Sequence, residues 1–252
     1  MEMTREQYRY FLKDTVRLNI DFRMTDQSRG APPPPVAKPA PPDGERIDLV
    51  PVGAWKGIST VDLLSAIRGR RSHRQFRQAP LAQDELSFLL WATQGMREYA
   101  GGATAFRTVP SAGCRHALET YVCVLQVEGL EAGIYRYLPV EHRLLVLARS
   151  GDLRRRLTEA ALHQHFIGQS AVTFVWTTIP NRMEWRYGLA AHKVIALDAG
   201  HVCQNLYLAC SAVGCGTCAV AAYHQELMDR LLGVDGEEEF TLYLAPVGKI
   251  EG

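Results

Sequence analysis

The sequence predicts an α+β fold, and three observations carry that reading. Strand-like runs alternate with helical periodicities of unequal length, and two of the strands sit close enough to form a hairpin, which a regular doubly wound sheet lacks. The third is a long stretch at 185–213 that holds no Pro and only two Gly and is apolar around most of its circumference from Val194 onward. Composition agrees with a globular chain: of 252 residues, 47% are apolar and 22% charged, which excludes a disordered chain, a collagen and a disulfide-knotted miniprotein. Twenty-eight basic residues face 27 acidic ones, so no global field draws the chain to nucleic acid or an anionic membrane. Apolar runs are broken well short of the ~20 residues a membrane span needs, and the charged N-terminus has no apolar signal core. The expectation is a cytoplasmic protein.

In chain order, Tyr8, Phe11, Leu12 and Val16 recur at helical spacing in a first segment. Seven of the 13 prolines then fall in 32–42, a run that excludes helix and inner strand and favours polyproline II geometry. It divides the chain into an N-terminal segment, 1–46, and a body, 47–252. The run is either a strap across the body or a partner subunit, or a disordered linker, and the sequence leaves both open. Ser59 and Thr60 offer caps to a helix carrying Val61, Leu64 and Ile67, and Leu86, Leu89, Leu90 and Thr93 align on another over 83–93. Strands are expected at 120–127, at 134–137 with 144–147 as the hairpin, and at 171–178 as a buried central strand. A helix over 151–166, the long core helix, a short helix over 225–232 and a last strand at 240–247 complete the body. The six cysteines lack two short-spaced pairs, so buried thiols are expected rather than a metal site.

Three segments carry chemistry. RGRRSHRQF at 68–76, with Arg77 after it, can converge guanidinium forks and a Ser hydroxyl on a phosphate. The plain alternatives are helix-dipole complementation and a solvated basic patch. VPSAGC at 109–114 and GCGTCAVAA at 214–222 are loops of small residues whose backbone can approach a flat or anionic ligand. Neither is a dinucleotide fingerprint, since the second follows a helix where a Rossmann motif follows a strand. Asp198 and His201 are three apart on the long helix, hence on one face, and read as a satisfied buried pair rather than a proton relay.

In order along 55–250, RRSHRQF at 70–76, PSAG at 110–113, ETY at 119–121, VEGLEAGIYRY at 127–137, WRYG at 185–188, LDAGHVCQNLYL at 197–208, CGTC at 215–218 and PVGK at 246–249 resemble the FMN-dependent nitroreductase superfamily. Within it they are most similar to the SagB-type dehydrogenase branch, which includes azoline oxidases of peptide modification. The resemblance implies a nitroreductase-like α+β fold with a mixed or antiparallel central sheet, working as a homodimer with FMN at the interface. It implies that Arg70, Ser72 and Arg74, with Arg71 beside them and Lys249 joining, hold the FMN phosphate. It further implies that Pro110, Ser111, Ala112 and Gly113, from the other subunit, line the ring. Cys218, Ala219, Val220, Ala221 and Ala222 would pass the flavin with a backbone N–H toward N5, and Gln204 would reach its edge. In azoline-oxidising relatives a Lys-Tyr pair precedes the long helix; here the matching positions are Arg186 and Tyr187. Arg cannot lose its proton near neutral pH, so Tyr187, with Arg186 as its cationic neighbour, is the candidate proton-transfer residue; the plain alternative is that Arg186 pairs with Glu184 or caps a helix and Tyr187 packs. The implied activity is hydride transfer to or from N5 on a peptide-derived or small-molecule substrate, with NAD(P)H or a partner modification enzyme alongside. Alternatives are a broad NAD(P)H-dependent quinone or nitroaromatic reductase, and a non-catalytic flavin-binding subunit.

Overall fold

The computed structural model of the chain describes residues 4–99 and 104–251. Helix α1 (Arg5–Leu12) opens it, closed at its start by a reciprocal Thr4–Gln7 capping box. There follow β1 (Arg46–Asp48), α2 (Leu63–Gly69), α3 (Gln83–Gln94) and a small hairpin of β2 (Met96–Tyr99) and β3 (Ala105–Arg107). Next come β4 (Leu118–Val124), β5 (Gly133–Leu138), β6 (Arg143–Arg149), α4 (Leu153–Ala160), α5 (His165–Gly168) and β7 (Val172–Thr178). The chain closes with α6 (Asn181–Tyr187), α7 (Ala191–Ala212), β8 (Cys215–Thr217), α8 (Gln225–Leu232) and β9 (Phe240–Lys249).

The main sheet has seven strands in the order β1-β6-β5-β4-β7-β9-β8, with every neighbouring pair antiparallel. Strands β4 and β7 are buried along their whole length at its centre, so alternate side chains enter opposite cores. Val122, Phe174 and Trp176 pack with Leu86, Leu89 and Leu90 of α3 and Ile195, Val202 and Leu206 of α7. Tyr121, Cys123 and Val175 point the other way, against Leu153, Leu157, Leu231 and Leu232 of α4 and α8. This is the expected α+β class.

Two expected helices are divided. The one over 151–166 stops at Ala160, because Leu162 and His163 adopt left-handed backbone (φ 55° and 59°) before α5 starts. The long helix over 185–213 is broken at Gly188 (φ 52°, ψ −137°), a conformation open to glycine, so Arg186 and Tyr187 end α6 rather than begin α7. Helix α1 also departs from expectation: its apolar residues form no buried face, Tyr8 and Leu12 being 64% and 68% exposed.

The proline-rich run lies across its own chain. Prolines have no N–H to donate, so such a segment presents carbonyls and needs donors from elsewhere. Arginines supply them: Arg107 donates to Val36 O (2.6 Å), Arg136 to Pro39 O (2.9 Å) and Arg46 to Pro41 O (2.9 Å). The Lys38 N–H donates to Glu119 Oε1 at 2.8 Å, and its ammonium pairs with Glu239. Beneath, Glu119 and Arg182 form a buried ion pair at 2.6 Å. Burial alone would raise the Glu119 carboxyl, but Arg182 and Arg107 outweigh it and hold it below its usual value.

Candidate functional site

The first group of residues forms where the basic loop meets the sheet edge. Asp62 caps α2 by accepting from the Ser65 N–H (2.9 Å), and the chain leaves the helix at Arg70. Ser72 then bridges to Thr217, and the His73 N–H donates to Thr217 O at 2.9 Å, fastening the loop to β8. Gly216 permits this approach, since a Cβ there would stand 2.6 Å from the His73 ring. Ser72 Oγ hydrogen-bonds the Tyr207 hydroxyl at 2.8 Å, and that hydroxyl accepts the Ala219 N–H at 2.8 Å. The Arg70 guanidinium lies 5.3 Å from the Tyr207 ring centroid, and that of Arg74 lies 6.0 Å from Phe166. A cavity of about 510 Å³ opens here, lined by Ser72, Arg74, Phe76, Arg77, Ile250 and Glu251 among others. Among the described ion pairs, none engages Arg68, Arg70, Arg71, Arg74 or Arg77. A cluster of exposed cations that repel one another and have no acidic partner suits an anion from outside.

The second group centres on the other small-residue loop. Gly113 (φ 57°), Cys114 (φ 54°) and His116 (φ 46°) all take left-handed backbone, and for the two non-glycines that costs of order 1–3 kcal/mol each. The His116 N–H donates to Ser111 Oγ (2.9 Å), and the Ala112 N–H donates to Asp198 Oδ2 (3.3 Å). Gly113 lies against the end of α6: a Cβ on it would stand 2.7 Å from the Tyr187 hydroxyl and 2.8 Å from Arg186 Nε. The Arg186 guanidinium is 5.6 Å from the Tyr187 ring centroid. Glu184 is not its partner, because that carboxylate meets His192 Nε2 at 2.7 Å. His116 is buried and its pKa is pushed down to about 3 by burial and by Arg107; its Nε2–H donates to Ala105 O at 3.0 Å. Burial raises the Asp198 carboxyl, opposed by its bonds to Ser111 and Ala112. His201, 3.8 Å away, is half exposed, so the expected buried pair is a buried carboxylate serving the loop with a solvated histidine beside it.

Asp198 and Tyr207 are nine residues apart on α7, which separates the two groups by roughly 14 Å along the helix. Along this part of the helix α7 leaves Ala196, Leu197, Gly200, His201 and Gln204 exposed on one stripe, Leu197 at 55%. Cys218 is buried, while Ala221 and Ala222 are exposed. The amides of Ala219 and Val220 are already committed, to the Tyr207 hydroxyl and to Leu244 O (2.8 Å). Lys249 stands apart from the arginines: its ammonium turns inward to Glu85 and to Val213 O (2.9 Å). Cys203 and Cys215 are buried thiols pushed up to about 12, burial also raises Cys210 well above the ordinary thiol value, and no metal-ligating cluster occurs among the described residues. Sequence reasoning passed over Tyr207, the hydroxyl that joins the basic loop to Ala219. Its signal was its place one turn beyond Gln204 on α7.

Residues 67–249 match the sequence profile of the nitroreductase family. The chain belongs to that family. Over 192 residues it is 33% identical to the nitroreductase candidate MJ1384 of Methanocaldococcus jannaschii, covering 76% of this chain and 93% of that one. It is 28% identical to the trifolitoxin-processing protein TfxB of Rhizobium leguminosarum bv. trifolii over 60% of this chain, which spans only 41% of TfxB. A nitroreductase candidate from Ralstonia eutropha JMP134 superposes with a TM-score of 0.68 at 25% identity, over 88% of this chain and 95% of that one. A chain of the E. coli microcin synthetase McbBCD complex with truncated pro-MccB17 bound shares the fold at TM-score 0.61 and 16% identity, over 100% and 99% of the two chains. So does one from Exiguobacterium sibiricum in complex with FMN, at 0.56 and 14%, over 78% and 92%. As a member of the nitroreductase family the chain is an oxidoreductase. No helix among the described residues is long and apolar enough to cross a membrane.

Proposed function

We propose that this nitroreductase-family chain is an FMN-dependent oxidoreductase of the SagB-like type, acting as a homodimer on a peptide-derived or small-molecule substrate. The observation that carries the reading is the set of arginines without acidic partners around a 510 Å³ cavity, tied through Ser72 and Tyr207 to Ala219. FMN in the Exiguobacterium relative supports the cofactor, and the trifolitoxin-processing and microcin-synthetase relatives support peptide modification. Arg70, Ser72 and Arg74 would hold the phosphate, with Arg71 adding charge; Lys249 would reach it only by leaving Glu85. The exposed stripe of α7, with Gln204 on it, would be covered by a second copy. That copy would bring its own Pro110, Ser111, Ala112 and Gly113 to the ring, beside Cys218, Ala221 and Ala222. When bound, FMN supplies a centre that takes or gives hydride.

The chain's own contribution is position and a proton. Tyr187, with the Arg186 guanidinium 5.6 Å from its ring centroid and its hydroxyl against Gly113, would be the proton-transfer residue. Replacing Tyr187 by Phe should slow the proton-coupled step about 10²-fold in stopped-flow measurement with flavin content unchanged, and unchanged kinetics would remove Tyr187 from the mechanism. Mass spectrometry of the ligand released by heat tests the cofactor: FMN is expected, and FAD would overturn the reading. Likeness to MJ1384 favours a second reading, NAD(P)H-dependent reduction of quinones or nitroaromatics. Anaerobic bleaching of the bound flavin by NADPH, with turnover of a nitroaromatic, would decide for it.

A further inference from the structure

The loop over 111–116 combines two left-handed non-glycine residues with a role in the candidate site, and such a backbone persists only where its surroundings over-determine it. One support is Asp198, which holds Ala112 from the side of α7. The other comes from the N-terminal segment. The Gln27 N–H donates to the Trp185 carbonyl at 2.9 Å, and the Trp185 indole N–H donates to Ala31 O at 3.0 Å, so the segment grips the last turn of α6 from both sides of one residue. Arg115, inside the loop, lies 4.7 Å over the Trp185 ring and donates to Arg182 O (3.2 Å) and Pro34 O (3.4 Å). One position further, the buried imidazole of His116 faces Arg107, which itself reaches Val36 O at 2.6 Å.

The contacts of Ala112, Arg115 and Trp185 lie within two residues of Arg186, Tyr187 or Gly113, and His116 lies three from Gly113. We propose that residues 27–38 are a working part of the site: they hold the strained loop against the Arg186–Tyr187 corner, with Trp185 and Arg115 as the positioning residues through which they act. The placement of Tyr187 in chemistry rests on the function proposed above; the grip on the loop does not. This explains why a proline-rich segment is tied down by buried arginines. A segment already extended loses little conformational freedom on docking, so it can serve as a stay rather than as a mobile cover.

The test uses the full-length protein. Trp185→Phe removes the indole donor while keeping a ring under Arg115, and Arg115→Lys keeps a charge while removing the planar fork. In flavin-free protein, amide exchange over 111–116 should quicken about tenfold or more in both variants, while β4 and β7 keep their protection. In flavin-loaded protein, turnover of a nitroaromatic probe should show kcat lowered about tenfold with little change in KM and unchanged flavin absorbance. Arg155→Ala, on the exposed face of α4, should alter neither reading. Unchanged exchange over 111–116 in both variants overturns the proposal. So does quickened exchange that spreads equally to β4 and β7 in both, since the residues would then act on stability alone. A parent protein that binds no flavin but shows the local exchange change would refute the proposed function and leave the stay in place.

Discussion

Arginine appears in this chain in two opposite settings. Around residues 68–77 the guanidiniums are exposed, two of them over aromatic rings, with no carboxylate partner among the described residues. Around Arg107, Arg115, Arg136 and Arg182 they are buried, and they donate to carbonyls of the proline-rich run, to Gln94 and Glu119, and to the backbone oxygens of Arg182 and His116. The same side chain stands exposed without a carboxylate in the first setting, where the proposed function puts a phosphate, and closes an internal structure in the second. Charge count along the sequence does not separate the two; the presence or absence of a partner in space does.

The contrast breaks most easily at Arg182. Truncation to Ala removes the ion-pair partner of the buried Glu119 carboxylate, so urea unfolding should show about 3–5 kcal/mol of lost stability. Arg70→Ala and Arg74→Ala should do the reverse. Each should weaken FMN binding by roughly 1.5–3 kcal/mol in a fluorescence titration while the unfolding midpoint barely moves. A stability loss at Arg74 matching that at Arg182 would erase the distinction between the settings. The mildest test is pH. His116 has a folded pKa of about 3, below its unfolded value, so the folded state binds fewer protons. Stability from its neutral form is therefore complete above about pH 6.5 and is lost as pH falls from there toward 3, by at most about 1.4 kcal/mol per pH unit. His116→Gln should flatten that slope in thermal melts taken between pH 7 and 5.

Much of the fold was legible because β4, β7 and α8 are written in burial. Strands β4 and β7 are near-continuous apolar and β-branched runs, and α8 repeats apolar residues at helical spacing over the expected 225–232. The helix breaks were not legible. Gly188 looked like one glycine tolerated in a long helix, and Leu162 and His163 carry no sign of left-handed backbone. In the site, the basic loop and both small-residue loops were visible as composition. Their ties were not, because Ser72–Tyr207 and Gly113–Tyr187 join residues 135 and 74 positions apart. Lys249 shows the limit most clearly. Its side chain turns to Glu85, 164 residues away, a preference that no local pattern expresses.

The buried thiols have a practical side. With Cys203 and Cys215 raised to about 12, the thiolate fraction at pH 7 is on the order of 10⁻⁵, and Cys123 and Cys210 are equally enclosed. Alkylating reagents and peroxides act on thiolates, so these side chains are chemically quiet while the fold holds. Cys114 differs, being half-buried and seated in the strained loop beside Gly113. A maleimide dye added to the unmodified protein would gather there first. The chain thus carries its own attachment point for a fluorescent reporter, placed where the loop meets the end of α6.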